Sequence, residues 1–435
     1  MKKGVRIYNL YPKLVGSMEK WISHFDRIKK MNFDWIYVNP FHSTGLSSYA
    51  IKDYYAYNPL FVKGTMNAED YTTEALENSK EAGNELLKKV CSEANTRGMN
   101  IMMDLVINHT ATDSRLTWEH PEWYERKYDG SIKHPGAMDG NNWVEWGDLA
   151  QIDNEHSSNK DELWEYWLDM ILFYAGLGIR GFRCDAAYHI SSKLWKFLIE
   201  KTKEKYPDAI FVAETLGCTP AELMNTADAG FDYVMNSFKW WDFRADYFLK
   251  DYVEWAGKYP SLTFPENHDT ARYAQECGYN KEMAVFKYAI CSYFCSSIAT
   301  TIGFEYGFGR RLDVVHTTPD WWEEKKYDIS EEIAKINDIK SSYSILSEDN
   351  MIHIVRSDDK VFAFSKTSID GREKIIVVGN KSINSEHFTF DGIKNYMHGA
   401  HIKDISHGHK MENVPENLHY ILNPGEVKVF YAKLK

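Results

Sequence analysis

Long apolar runs are missing from this chain of 435 residues. The longest, Met170 to Ile179, falls far short of the ~20 residues that a membrane helix needs. Cysteine is sparse and scattered, with six residues at Cys91, Cys184, Cys218, Cys277, Cys291 and Cys295 and no CxxC pair. Zinc spacing is therefore absent, and buried reduced thiols are expected. Basic charge is in deficit, with 51 Lys and Arg against 63 Asp and Glu and a net charge of −12. Such a surface repels phosphate backbones, which argues against nucleic acid and anionic membranes as partners. No GxGxxG follows the first predicted strand, which weakens a dinucleotide-binding fold. The N-terminal MKKGVRIYNLYPK has lysines but neither an apolar h-region nor a small-residue cleavage site, so a cytoplasmic location is expected. Low-complexity tracts and short internal repeats are also lacking.

Aromatic residues are abundant instead, at 15% with 14 Trp, 28 Tyr and 22 Phe. Flat apolar rings with a polar edge suit sugars, although a Trp-rich core gives the same composition. Short β-rich runs alternate with helical patterns over some 340 residues. Strands are predicted at Val5–Tyr8, Trp35–Val38, Asn100–Ile107, Gly181–Cys184, Ala209–Ala213, Tyr233–Met235, Leu262–Phe264 and Ile298–Ile302. Helices are predicted over Met18–Met31, around Leu86 to Ala94, over Leu163–Tyr174 and over Leu194–Lys203. Strand–helix repetition of this length predicts a parallel (β/α)8 TIM barrel.

The rhythm breaks between Thr110 and Glu155, and long loops in compact domains are usually functional. After about Ser344 short antiparallel runs take over, with turns at Asp358–Asp359 and Pro424–Gly425. The expected organisation is a barrel over 1–109 and 158–344, a short inserted loop-rich domain over 110–157, and a C-terminal antiparallel β-sandwich-like domain over 345–435.

Four segments near predicted strand ends concentrate ionisable residues: DLVINH (Asp104–His109), GFRCDAAYH (Gly181–His189), VAETLG (Val212–Gly217) and PENHD (Pro265–Asp269). In a β/α barrel the C-terminal strand ends surround the active site, so these segments converge. Three carboxylates stand out: Asp185, Glu214 and Asp269. Glycosidic cleavage with retention needs one carboxyl to protonate the leaving oxygen and a second as nucleophile, about 5–5.5 Å away. Arg183 lies two residues from Asp185, so both face one side of a strand, and the guanidinium keeps Asp185 ionised. Burial at Glu214 raises its pKa and favours the acid role.

Taken in order, these four segments resemble the signature regions of the α-amylase superfamily, glycoside hydrolase family 13. The SSYAIKDYYAYNP stretch (Ser47–Pro59) resembles the family's tyrosine segment, and the likeness runs from Tyr8 to about Tyr306. The resemblance implies that Asp185 is the nucleophile and Glu214 the general acid/base. It further implies that Asp269 is the carboxylate that holds sugar hydroxyls and stabilises the distorted transition state. Arg183 would orient Asp185, His109 and His268 would bond the sugar in the cleavage subsite, Tyr49 would stack under it, and Asp104 would support the site. A calcium ion is also allowed by the resemblance, held by Asn108, Asp148 and the carbonyl of His189; oxygen ligands from distant loops suit that ion.

The implied activity is a retaining α-glycoside hydrolase on α-glucans or malto-oligosaccharides. The alternative is a glucanotransferase or maltosyltransferase that passes the same intermediate to another sugar. Tyr188 stands where many starch-cleaving relatives carry Lys, and Ala50 where many have Asp. HPEWYERKYDGS (His120–Ser131) resembles maltosyltransferase-like members. These departures leave the acceptor side open. Trp118, Trp123, Trp143, Trp146, Trp240, Trp241, Trp321 and Trp322 are the remaining sugar-stacking candidates, with Trp143 and Trp146 foremost and core packing the alternative for each.

Overall fold

The computed structural model describes residues 4–65, 67–139, 142–399 and 401–434. Eight parallel strands close into a barrel. They are β1 (Arg6–Asn9), β2 (Trp35–Val38), β3 (Asn100–Leu105), β4 (Gly181–Cys184), β5 (Ile210–Ala213), β6 (Tyr233–Met235), β7 (Ser261–Thr263) and β8 (Ser297–Thr301). Each pairs with its sequence neighbours, and β8 closes on β1 through Arg6↔Ile298 to Asn9↔Thr301. Period-2 alternation divides the side chains. Ile7, Trp35, Tyr37, Met102, Val212, Tyr233 and Leu262 fill the barrel interior, while Ile36, Ile101, Phe182 and Phe211 face the helices. Gly181 leaves the room Trp35 needs, because a Cβ there would lie 2.8 Å from Met102 Cβ and 2.9 Å from the indole.

Helices form where the apolar period is 3.6. The helix expected over Met18–Met31 is two helices, Met18–Ser23 and Phe25–Lys30, broken at His24. Trp21, Phe25 and Ile28 still face the core across the break, which explains why the periodicity reads as continuous. The long helix Lys160–Leu177 stops at Gly178, whose φ of 114° is a left-handed cap that side chains with a Cβ resist. A capping box at Thr219 and Glu222 starts the helix Pro220–Ala227 after β5. Among the described residues no helix is long and apolar enough to cross a membrane.

The excursion after β3 carries an antiparallel pair, His109–Ala111 with Leu149–Gln151, and a hairpin of Gly136–Asp139 with Asn142–Glu145. The pair brings both ends of the excursion back to the barrel mouth. A second hairpin after β2, His42–Thr44 with Ile51–Tyr57, carries Tyr49 in its turn. Beyond Ser347 an antiparallel sheet runs in the order Ile352–Ser357, Val361–Thr367, Glu373–Asn380, Val427–Lys433, Ile402–Asp404. Its central strands, Val361–Thr367 and Glu373–Asn380, are buried on both faces. Phe362, Phe364, Ile375 and Val377 join the barrel core, and Val361, Ala363, Ile376 and Val378 pack under the strand pair Glu386–Phe390 and Leu418–Leu422.

Candidate active site

The β-ladder does not stop at the strand ends. Asp185 N–H donates to the Leu105 carbonyl (3.0 Å), and Glu214 N–H donates to the Cys184 carbonyl (3.0 Å). The two carboxylates are therefore held in register by backbone bonds at the C-terminal mouth, where a barrel builds its site. Ala186, directly after Asp185, has φ 43° and ψ 43°. A left-handed alanine costs about 1–3 kcal/mol and persists where surrounding structure enforces it. Here it turns the Ala186 N–H onto Glu214 Oε2 at 2.7 Å.

Arg183 is the hub. It pairs with Asp104 in the β3–β4 register. Its Nη1 bonds Asp104 Oδ1 (2.8 Å) and Asp185 Oδ1 (2.6 Å), while Nη2 lies 3.3 Å from Glu214 Oε2. One guanidinium thus bridges two carboxylates that face the cleft and one that is buried. Burial opposes the Arg183 charge, but Asp104, Glu214 and the neighbouring tyrosine hydroxyls outweigh it and hold its pKa well above the usual value. Asp185 and Glu214 remain partly open, their side chains 13% and 17% exposed.

The network continues to the third carboxylate. Asp104 Oδ2 accepts from Tyr37 (2.5 Å) and from Tyr49 (2.7 Å). The Tyr49 oxygen accepts from Asn39 Nδ2 (3.1 Å) and meets His268 Nε2 at 2.7 Å. His268 Nε2 lies 3.0 Å from Asp269 Oδ2. One polar chain therefore joins Asp269, His268, Tyr49, Asp104, Arg183, Asp185 and Glu214. Tyr49 and His268 stack with their rings 7° from parallel and 5.8 Å apart. The segment carrying Asp269 is clamped separately. Glu266 and Arg272 form a buried ion pair (2.6 Å), and Arg311 donates to the Asp269 carbonyl (2.6 Å).

Electrostatics separate the acids. Burial first, with Asp185 adding and Arg183 opposing, pushes Glu214 up to about 7. Desolvation in the cleft works against the Asp269 charge, but His268 and then Arg183 and Arg311 prevail and hold Asp269 at about 2. Its side chain is 54% exposed, so water in the open cleft screens part of that interaction. His268 is raised, because Asp269 outweighs its burial. The His268 contribution to stability is complete below its unfolded value near 6.5 and fades as pH rises through the raised folded value. That of Asp269 is complete above about 3.9 and fades as pH falls toward 2. His109 is buried, which pushes it down to about 4, and its Nε2 has no hydrogen-bond partner among the described residues.

Asp185, Glu214, Asp269, Tyr49, His109 and Arg183 line a single cavity of about 700 Å³, a size that suits a small ligand. Asp104 and His268 stand behind its wall. Asn108, Asp148 and His189 also line the cavity. Asn108 is buried and its Oδ1 accepts from Gln151 Nε2 (3.1 Å), whereas Asp148 is exposed. Among the described residues no group of three or more His, Cys, Asp or Glu could hold a metal ion. Trp146 lines the cavity and is 42% exposed, whereas Trp123 and Trp241 are core residues. The side chain of Trp143 lies outside the described part. Trp118, Trp240 and Trp322 are exposed but do not line the cavity.

Three residues of this network escape a motif-based reading: Tyr37, Asn39 and Arg311. Tyr37 shares inward parity with Trp35 on β2, and that parity was the one available signal. Tyr37→Phe leaves a buried carboxylate oxygen short of a donor. It is expected to cost about 1–3 kcal/mol, read as a lower Tm in thermal unfolding.

The comparisons with known proteins agree with this architecture. A family model described as the glycogen debranching enzyme glucanotransferase domain matches residues 2–128. An α-1,4-glucan:maltose-1-phosphate maltosyltransferase of Picrophilus torridus is 24% identical over 86% of this chain and 60% of its own length. The protein of that name from Rhodospirillum rubrum is 28% identical over 55% of this chain and 34% of its own. The chain thus spans less than two thirds of the length of these relatives. Among solved structures, an α-amylase from Lactobacillus plantarum superposes with TM-score 0.72 at 20% identity, covering 98% of both chains. A trehalose-6-phosphate hydrolase from Bacillus licheniformis superposes with TM-score 0.75 at 18% identity, covering 99% of both. The four signature segments gathered at one barrel mouth, the matching family model and these relatives together support membership of the α-amylase superfamily, glycoside hydrolase family 13.

Proposed function

We propose that the protein is a retaining α-glycoside hydrolase acting on α-glucans or malto-oligosaccharides. The observation that carries this reading is the Arg183 bridge between the Asp185 carboxylate and a carboxyl whose pKa is raised, Glu214. Asp185 attacks the anomeric carbon as the glycosidic C–O bond breaks. Glu214 gives its proton to the leaving oxygen, then takes one from water as water cleaves the glycosyl–Asp185 ester. Asp269, ionised beside His268, holds sugar hydroxyls. His109 Nε2, free of protein partners among the described residues, bonds the same ring.

The charge lining the cavity supports an uncharged donor. Its full cations, among the described lining residues, are Arg183 and Lys133. Arg183 serves three carboxylates, and Lys133 is paired with Glu125 at 2.6 Å. Tyr188, near Glu214, and His189, near Asp185, line the same cavity. Burial, with Glu214 next, raises Tyr188 to about 12, and burial lowers His189. Both are neutral near pH 7. A phosphate leaving group needs cations there, whereas a sugar alkoxide needs the proton that Glu214 carries.

A second reading, transfer of the intermediate to another sugar, is favoured by the names of the maltosyltransferase relatives and the glucanotransferase family model. Maltoheptaose decides between them. New reducing ends rising in step with cleavage mean that water is the acceptor. Longer and shorter chains without that rise mean transfer. Maltose 1-phosphate run in parallel is expected to give no turnover. Inactivity toward every α-glucan tested would overturn both readings.

A further inference from the structure

At the junction of excursion and barrel, three carbonyl oxygens converge on one side-chain nitrogen. Gln151 Nε2 lies 3.1 Å from the Asn108 backbone oxygen, 3.1 Å from Asn108 Oδ1 and 3.4 Å from the Ile152 oxygen. The acceptors fix the amide's orientation, since a flipped Gln151 would set its own oxygen against three others with no proton between them. Convergence of main-chain and amide oxygens is the ligand chemistry of a hard cation such as calcium. Here an N–H₂ group fills that place, and its protons repel a cation.

We propose that the Gln151 amide acts in place of a cation, pinning the excursion to the barrel by hydrogen bonds, so that this protein needs no calcium. The pin lies where it matters for the cavity. Gln151 pairs with His109 in the ladder of His109–Ala111 with Leu149–Gln151, and the Ile152 N–H returns to the same Asn108 oxygen at 3.1 Å. Gln151, Asn108 and His109 all line the cavity. Gln151 is thus a positioning residue for His109, whichever acceptor the reaction uses. The acidic ligand a calcium site wants is not supplied at this point. Asp148 is exposed, and its backbone carbonyl is taken by the Thr112 N–H at 3.0 Å.

The test compares the full chain with Gln151→Glu, an isosteric change that replaces the donor by a carboxylate oxygen. Thermal unfolding is followed in excess EDTA and in excess calcium chloride, with calorimetric titration of calcium into the wild type. Wild type is expected to melt at one temperature in both and to show no calcium binding. Gln151→Glu is expected to melt lower in EDTA, because four oxygens then face one another, and to gain several degrees when calcium is added. A wild-type Tm that falls in EDTA, or calcium binding by the wild type, overturns the proposal. A Gln151→Glu protein whose Tm ignores calcium overturns it too. If that variant fails to fold, the wild-type titration alone decides.

Discussion

Asp185→Asn is expected to lose roughly 10⁴–10⁶-fold in kcat on maltoheptaose while retaining sugar binding. That loss corresponds to about 5–8 kcal/mol of transition-state stabilisation. The amide keeps the shape of the carboxylate but cannot form the glycosyl ester. Arg183 keeps Asp104 and Glu214 as partners, so the hub stays assembled. Binding of a malto-oligosaccharide, read by calorimetry, should therefore change little. Asp185 also helps to raise Glu214, so the variant should show a Glu214 pKa below about 7. Turnover close to wild type would remove Asp185 from the role of nucleophile.

The second large effect is at Glu214. Removing a general acid costs about 10²–10⁴-fold. Glu214→Gln should lose this on maltoheptaose, whose leaving oxygen needs a proton. It should lose far less on a glucosyl fluoride, whose leaving group does not. The pH dependence has a definite sign. As the proposed acid, Glu214 must start protonated, so kcat/KM should fall as pH rises through about 7. The basic limb is then absent in Glu214→Gln. A basic limb that survives the substitution would assign that titration to another group.

The barrel was legible because its strands are short apolar runs between amphipathic helices, and Trp35–Val38, Gly181–Cys184 and Tyr233–Met235 match prediction to the residue. The acids were legible because Asp185 and Glu214 directly follow such runs. The connections between acids were not. Tyr37 and Asn39 join the network through the closing of β2 against β3, a contact with no local signature. The broken helix at His24 was invisible, since apolar positions keep their period across the break. Gln151 carries no signal of its own in the sequence, where the resemblance points to Asp148 instead. Only the pairing of Leu149–Gln151 with His109–Ala111 brings Gln151 against Asn108.

The central claim is that Asp185 forms a covalent bond to the sugar. The most direct measurement traps that bond. The protein is incubated with a fluorinated α-glucosyl fluoride that forms the intermediate and hydrolyses slowly, then digested and mapped by mass spectrometry. The account predicts one sugar adduct, carried on Asp185, and none in Asp185→Asn. An adduct on Glu214 or Asp269, or turnover of the reagent with no adduct at all, would contradict it.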